Sequence, residues 1–184
     1  MRIGQKYITG TFAADQWVKI YESILSSAAT SITISSLDGD TDEEYRLIFR
    51  GVGGNAVSCY YFVRPNNDTG SNYGVQLLYG YNVSVGAIRD TLEAGINLDY
   101  GATIDQNSII FSTLNIQAKS GYLRTTIGKS AVNIATTSVG LIELMGNSWN
   151  NTTDNITSLV ILADQTNGLG VGTSIELFKK NYKS

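Results

Sequence analysis

Residues 31–64, SITISSLDGDTDEEYRLIFRGVGGNAVSCYYFVR, set the frame for the whole chain. Ile32, Thr33 and Ile34 form one β-branched run, and Tyr45, Leu47, Ile48 and Phe49 a second. Val57, Tyr60, Tyr61, Phe62 and Val63 form a third. Two polar, glycine-bearing breaks separate them, which is the pattern of strand, turn, strand, turn, strand. A chain that repeats this pattern, as this one does, is expected to be all-β: an antiparallel two-sheet β-sandwich.

The repetition is clearest in residues 108–118. There Ile109, Phe111, Thr113, Asn115 and Gln117 alternate with Ile110, Ser112, Leu114, Ile116 and Ala118. Residues 122–129 answer across the turn at 119–121, and 137–145 follow as a strand. Residues 146–154 read as a polar loop around Trp149. Residues 73–79 and 83–88 read as a hairpin about Gly80 and Asn82, and 45–50 is expected to pair with 57–64 across GVGGN. Residues 156–163 and 172–178 close the domain, with Asn167-Gly168 as a hairpin signal. Residues 96–100 form a weak strand. Residues 16–25 fit either an amphipathic helix or an alternating strand; the strand is favoured, paired as a hairpin with 31–35. Nine to eleven strands result, in one domain over 15–184, preceded by an arm over 1–14.

Composition supports this reading and removes several functions. Charged residues are 16 % of the 184, with 19 Gly, 11 Tyr and a single Pro. The net charge of -3 with no long basic run gives a polyanion nothing to hold, so no nucleic-acid partner is expected. The first residues, MRIGQKYITGTF, lack the apolar run of a signal peptide. No window of about 18 apolar residues exists, so no membrane span is expected. Cys59 stands alone, which excludes an intrachain disulfide and suits a small buried hydrophobe.

The segments Leu25-Ser26-Ser27-Ala28-Ala29, Leu37-Asp38-Gly39 and Tyr45 to Phe49, after an aromatic-bearing strand at Trp17, carry a resemblance. So do Trp149-Asn150-Asn151, the run from Ile156 to Leu162, Asn167-Gly168 and Glu176-Leu177-Phe178. Together they resemble a family of tailed-bacteriophage virion proteins with a jelly-roll-like β-sandwich domain, over residues 17–180. The resemblance implies a capsid-decorating, head-fibre or tail component located in the virion. It also implies a homo-oligomer, a trimer by analogy with the threefold spikes of that family, touching other virion proteins.

Catalytic constellations are scarce. There is no His, hence no imidazole base, nucleophile activator or zinc ligand. The glycines at 51, 53 and 54 precede a strand and not a helix, so a phosphate loop fails its context. Asp38, Asp40 and Asp42 begin a run like a calcium loop, but Phe49 stands where the closing Glu belongs. They are read as a solvated Asx-turn. The pairs Asp90 with Glu93 and Asp99 with Asp105 have no feature that marks them as glycosidase acids. Asn82, Asn151 and Asn155 match glycan-acceptor spacing and are read as loop polars. No enzyme and no cofactor are expected.

Two binding features remain. Ile3, Tyr7, Ile8 and Phe12 give the arm an apolar side that would cover a neighbour's edge strand. Tyr60, Tyr73, Tyr79, Tyr81 and Trp149, with Tyr61 beside them, are candidate rings of a glycan platform under a polar rim. The expected function is a non-enzymatic structural virion protein acting by self-association; the alternative is a carbohydrate-binding module.

Overall fold

The structure is a computed structural model and describes residues 16–100, 108–135 and 138–181. Twelve strands and one short helix follow in the order β1 (Gln16–Ile24), β2 (Ser31–Ile34), α1 (Gly39–Asp42), β3 (Glu44–Val52), β4 (Tyr61–Pro65), β5 (Tyr73–Tyr81) and β6 (Ser84–Glu93). Then come β7 (Ile96–Asn97), β8 (Ile109–Gln117), β9 (Arg124–Ala135), β10 (Ser138–Trp149), β11 (Leu159–Ala163) and β12 (Ser174–Asn181). All pairs are antiparallel, in a large sheet β1-β12-β3-β8-β9-β10-β5-β6 and a small sheet β2-β11-β4-β7. The molecule is a two-sheet antiparallel β-sandwich. No helix among the described residues is long and apolar enough to cross a membrane.

The core lies between the sheets, where the period-2 alternation sends one side of each strand inward. Tyr45, Leu47 and Phe49 of β3 meet Ile110, Leu114 and Ile116 of β8 on the large sheet. Tyr61 and Val63 of β4, with Leu159 and Ile161 of β11, face them from the small one. Phe49 and Tyr61 close the gap with an edge-to-face contact of 5.2 Å between centroids. Cys59 is fully buried, as a small hydrophobe should be.

Several expected pairings are corrected. Residues 16–25 are a strand, but β1 edges the large sheet and β2 the small one, so they form no hairpin. A bulge between Lys19 and Tyr21 also breaks the alternation. β3 and β4 likewise lie in opposite sheets, and GVGGN is a crossover. At Gly54 an added Cβ would lie 2.2 Å from the Asn167 carbonyl oxygen, so the two crossovers touch backbone to backbone. Asn167-Gly168 sits between β11 and β12, again in different sheets. Asn167 has φ 56° but Gly168 is not in the positive region, whereas a type I′ hairpin needs both. A two-residue hairpin does stand at Asn82-Val83, with Tyr81 opposite Ser84 and Asn82 at φ 51°. Gly146, Asn147 and Ser148, expected in a loop, are strand, because β10 is paired on both sides by β9 and β5. Central pairing overrides the weak β preference of Gly and Asn. The acidic turn holds the single turn α1, and the described residues contain twelve strands against the nine to eleven expected.

Candidate functional site

Asp38, Asp40 and Asp42 do not converge. The Asp38 carboxylate caps α1 by accepting from the Thr41 backbone N–H at 3.3 Å and hydroxyl at 2.8 Å, and from Asn155 Nδ2 at 2.9 Å. These bonds, the Thr41 hydroxyl first, hold its carboxyl below the usual range. Asp40 accepts from the Ser120 N–H at 2.7 Å, and Asp42 from Tyr45 Oη at 2.8 Å and Lys179 Nζ at 2.7 Å. Each acid staples a different segment to the helix. Among the described residues, no group of three or more acid, Cys or His side chains has metal-site geometry. The arm residues Ile3, Tyr7, Ile8 and Phe12, and Asp105, lie outside the described residues.

The fold separates the five candidate rings. Trp149 and Tyr73 are buried at 1 % and 2 % exposure and lie nearly parallel, 6.5 Å between centroids. Trp149 Nε1–H donates to Asp68 Oδ2 at 2.8 Å, Tyr73 Oη donates to the Asp68 carbonyl at 2.9 Å, and Arg124 lies 4.9 Å over the Trp149 ring. Both rings are therefore core, and cannot form the floor of a surface platform. Tyr61 is core as well. Tyr60 is exposed on the approach to β4, and Tyr79 and Tyr81 lie together on the inner face of β5.

Those two tyrosines line a depression of about 240 Å³ with Ile88, Tyr100, Leu141 and Glu143. It forms where the small sheet ends at the two-residue β7 while the large sheet continues through β10, β5 and β6. The Tyr79 ring leans over Gly86: a Cβ there would meet Tyr79 Oη at 2.5 Å, so only glycine leaves the ring room. Tyr100 Oη donates to Asp90 Oδ2 at 2.6 Å, which holds Asp90 down and pushes Tyr100 up to about 12. Glu143 is 5 % exposed. It accepts from Ser130 Oγ at 2.5 Å and from the Tyr100 N–H at 3.1 Å. Burial raises its carboxyl pKa despite both bonds. Behind it Asp99 is fully buried, accepts from the Tyr61 N–H at 2.8 Å, and leaves Oδ2 without a partner. Burial and the nearby Glu143 charge push it well up. Burial and Asp90 likewise raise Glu93. No basic side chain among the described residues pairs with Asp90, Glu93, Asp99 or Glu143.

A second surface covers the outer face of the large sheet. Register puts Phe111, Ala131, Ile142, Gly80 and Val85 in one row across β8, β9, β10, β5 and β6. The next row is Ile48, Thr113, Lys129, Leu144, Leu78 and Ala87, and Ile127 lies in the third. Leu78, Val85, Phe111, Ile127, Ile142 and Leu144 are each more than half exposed. Between β3 and β6 the charges in these rows are Arg46, Arg50, Lys129 and Arg89, with Glu44 only at the corner, beside Lys180.

Sequence reasoning missed Glu143 and Tyr100. For Glu143 a signal existed: Leu141, Glu143 and Met145 alternate, which places an acid on the buried side of a strand. Tyr100 had none, because its position follows from where β7 stops.

No family model matches the chain, and no curated protein matches it. Among solved structures, a Scytalido-glutamic peptidase with a peptide-based transition-state analogue is 13 % identical, covering 86 % of this chain and 67 % of that one, at TM-score 0.28. A protein of unknown function from Shewanella oneidensis MR-1 is 9 % identical over 98 % of this chain and 88 % of that one, at TM-score 0.21. Likenesses this weak carry no argument about activity.

Proposed function

We propose that the chain is a non-catalytic structural component of a virion surface, capsid-decorating or tail-associated, that works by self-association and by binding the particle. The observation that carries self-association is the apolar outer face of the large sheet. Its six most exposed side chains present on the order of 700 Å², against roughly 300–600 Å² for the largest patch on an ordinary monomer and roughly 800 Å² per partner in a standard interface. The basic frame narrows the geometry. A face-to-face twofold contact sets Arg46, Arg50, Lys129 and Arg89 against their own copies. A cyclic contact, as in a trimer, sets this face against a different, acid-bearing surface of the next copy.

Strand order supports the virion reading in part. Without the hairpins β5–β6 and β9–β10, the sheets reduce to β1-β12-β3-β8 and β2-β11-β4-β7. This is the two-Greek-key order of a jelly roll, an architecture found in viral capsid and lectin domains. Fold alone does not decide between those, and the sequence resemblance over residues 17–180 favours the virion. The glycan alternative has lost Tyr73 and Trp149 to the core.

Sedimentation of the wild type and of the double variant Leu78→Glu, Leu144→Glu tests the reading. Both sites are solvent-facing, so the fold should persist by circular dichroism while a wild-type oligomer falls to monomer. A wild type that stays monomeric at high concentration overturns self-association through this face.

A further inference from the structure

We infer that the depression between Tyr79, Tyr81 and Tyr100 is a binding site for a single alkylammonium group, whether the quaternary head of a choline or the primary amine of a lysine side chain.

Four observations lead there. First, the lining is Tyr79, Tyr81 and Tyr100 with Ile88 and Leu141, and the remaining lining residue is Glu143. Aromatic faces carry negative charge at their centres and attract cations, most strongly where water is excluded. Second, at about 240 Å³ the depression is below the roughly 300 Å³ at which drug-sized pockets begin, so it fits one group and not a whole ligand. Third, the titratable groups described on this wall are acidic or phenolic, while Arg64 gives its Nε–H to the Ala94 carbonyl, next to Glu93, and Arg89 stands on the outer face of β6. Asp90 and Glu93 stand on β6, Glu143 on β10, and Asp99 and Tyr100 after β7, with Tyr79 and Tyr81 on β5. No basic side chain among the described residues answers them. Fourth, the Tyr100 N–H is shared between the two Glu143 carboxylate oxygens, at 3.1 and 3.3 Å, and Ser130 Oγ donates to Oε2, so Oε1 carries a single shared donor. A carboxylate offers about four lone-pair sites, so acceptor capacity remains for a cation.

The chemistry is reversible binding with no bond made or broken. A cation would favour the ionised form of Glu143, so affinity should rise with pH across the range where that carboxyl titrates. A neutral sugar would show no such dependence and would need donors that this wall does not supply beyond the tyrosine hydroxyls.

The test is titration of the full chain, followed by NMR or calorimetry at matched ionic strength. The probes are choline chloride, Nα-acetyl-lysine amide, the neutral isostere 3,3-dimethylbutan-1-ol, and glucose. Choline or the lysine amide should bind saturably in the millimolar range, and whichever binds tighter identifies the source. The neutral isostere should bind about 10-fold more weakly, the size of effect a partly desolvated cation–π contact gives. Tyr81→Leu, at a half-exposed position, should weaken choline or lysine binding about 10-fold without altering the circular dichroism. Gly86→Ala should weaken it too, by displacing the Tyr79 ring. Equal binding of the neutral isostere, preferential binding of glucose, or no saturation by either cation would overturn the inference. Unchanged affinity in both variants would place any cation elsewhere.

Discussion

Replacing Asp99 by Asn should flatten a fall in stability that the wild type suffers as pH rises. Asp99 is fully buried, with one carboxyl oxygen on the Tyr61 N–H and the other unpartnered. Burial pushes its pKa well above the ordinary value; the Tyr61 bond opposes this, and the Glu143 and Asp164 charges add to it. In the unfolded chain such a carboxyl loses its proton near pH 4. Above that pH the folded state holds one proton more than the unfolded state. Stability from this group is therefore full below the unfolded pKa and falls as pH rises, until the folded group also ionises. The slope is about 1.4 kcal/mol per pH unit, so pH 5 to 7 costs up to about 3 kcal/mol if Asp99 stays protonated throughout. Glu143 acts with the same sign. Asp38, Asp40, Asp68 and Asp90 are held down, so their contribution is lost only as pH falls below the unfolded value and is flat in this window. Urea unfolding at about pH 5, 6 and 7 measures the difference. Asp99→Asn starts lower at pH 5, since the amide NH₂ that replaces the unpartnered Oδ2 finds no acceptor there, at about 1–3 kcal/mol. Its decline to pH 7 should nonetheless be shallower than that of the wild type by as much as one proton's slope. Parallel curves for the two proteins would refute the argument, since Asp99 would then be ionised in the fold.

Trp149→Phe should cost about 1.5–3 kcal/mol for the lost donor to the Asp68 carboxylate, and a double-mutant cycle with Asp68→Asn should show strong coupling. Gly54→Ala should destabilise by about 1–3 kcal/mol or more, because the new methyl meets a backbone carbonyl that has no side-chain freedom; thermal unfolding checks it. Asp38→Ala should cost about 1 kcal/mol as a lost helix cap, and a chelator should leave the melting temperature of the wild type unchanged. Deleting residues 1–14 should weaken oligomerisation or particle attachment without unfolding the sandwich, as read by sedimentation and circular dichroism.

What the sequence made legible was local. The alternation of residues 109–117 and the hairpin at Asn82 depend on neighbours a few residues away, and both stand in the structure. Sheet membership does not. Leu25 to Thr30 and Gly53 to Tyr60 look like hairpin turns because a crossover uses the same small and polar residues as a turn. Only the long-range partners reveal the difference, such as Ala29 and Gly53 both bridging to Leu169. Trp149 misled for the same reason. Its Asn-rich flank reads as a loop, while the group that captures its N–H, Asp68, lies 81 residues away. Tyr79 and Tyr81, two of the rings singled out from the sequence, do share one depression, but the acid beside them comes from β10 and the third ring from the end of β7.

Both surfaces trace to one architectural step. The eight-strand frame alone is a balanced sandwich in which each four-strand sheet covers the other. The hairpins β5–β6 and β9–β10 join only the large sheet, and pair with each other through β10 and β5. This doubles one sheet and leaves the other at four strands, with β7 only two residues long. On the outer side the added strands contribute Leu78, Val85, Ile127, Ile142 and Leu144, five of the six side chains that make the apolar face. On the inner side they run past β7, so Tyr79, Tyr81 and Glu143 meet Tyr100 in an open depression instead of a second sheet. A one-residue slip of β5 against β10 would turn Leu78, Tyr79 and Tyr81 to the opposite faces. The buried cluster of Val75 and Leu77 with Met145 of β10 resists that slip, because it would turn Val75 and Leu77 out to solvent and strip Met145 of both. Polar substitutions there, such as Leu77→Asn, should therefore disturb both surfaces at once while sparing the frame core around Tyr45, Leu47 and Phe49. Hydrogen exchange confined to β5, β6 and β10 would be the expected signature, and uniform loss of protection across all strands would mean the extension and the frame fold as one unit.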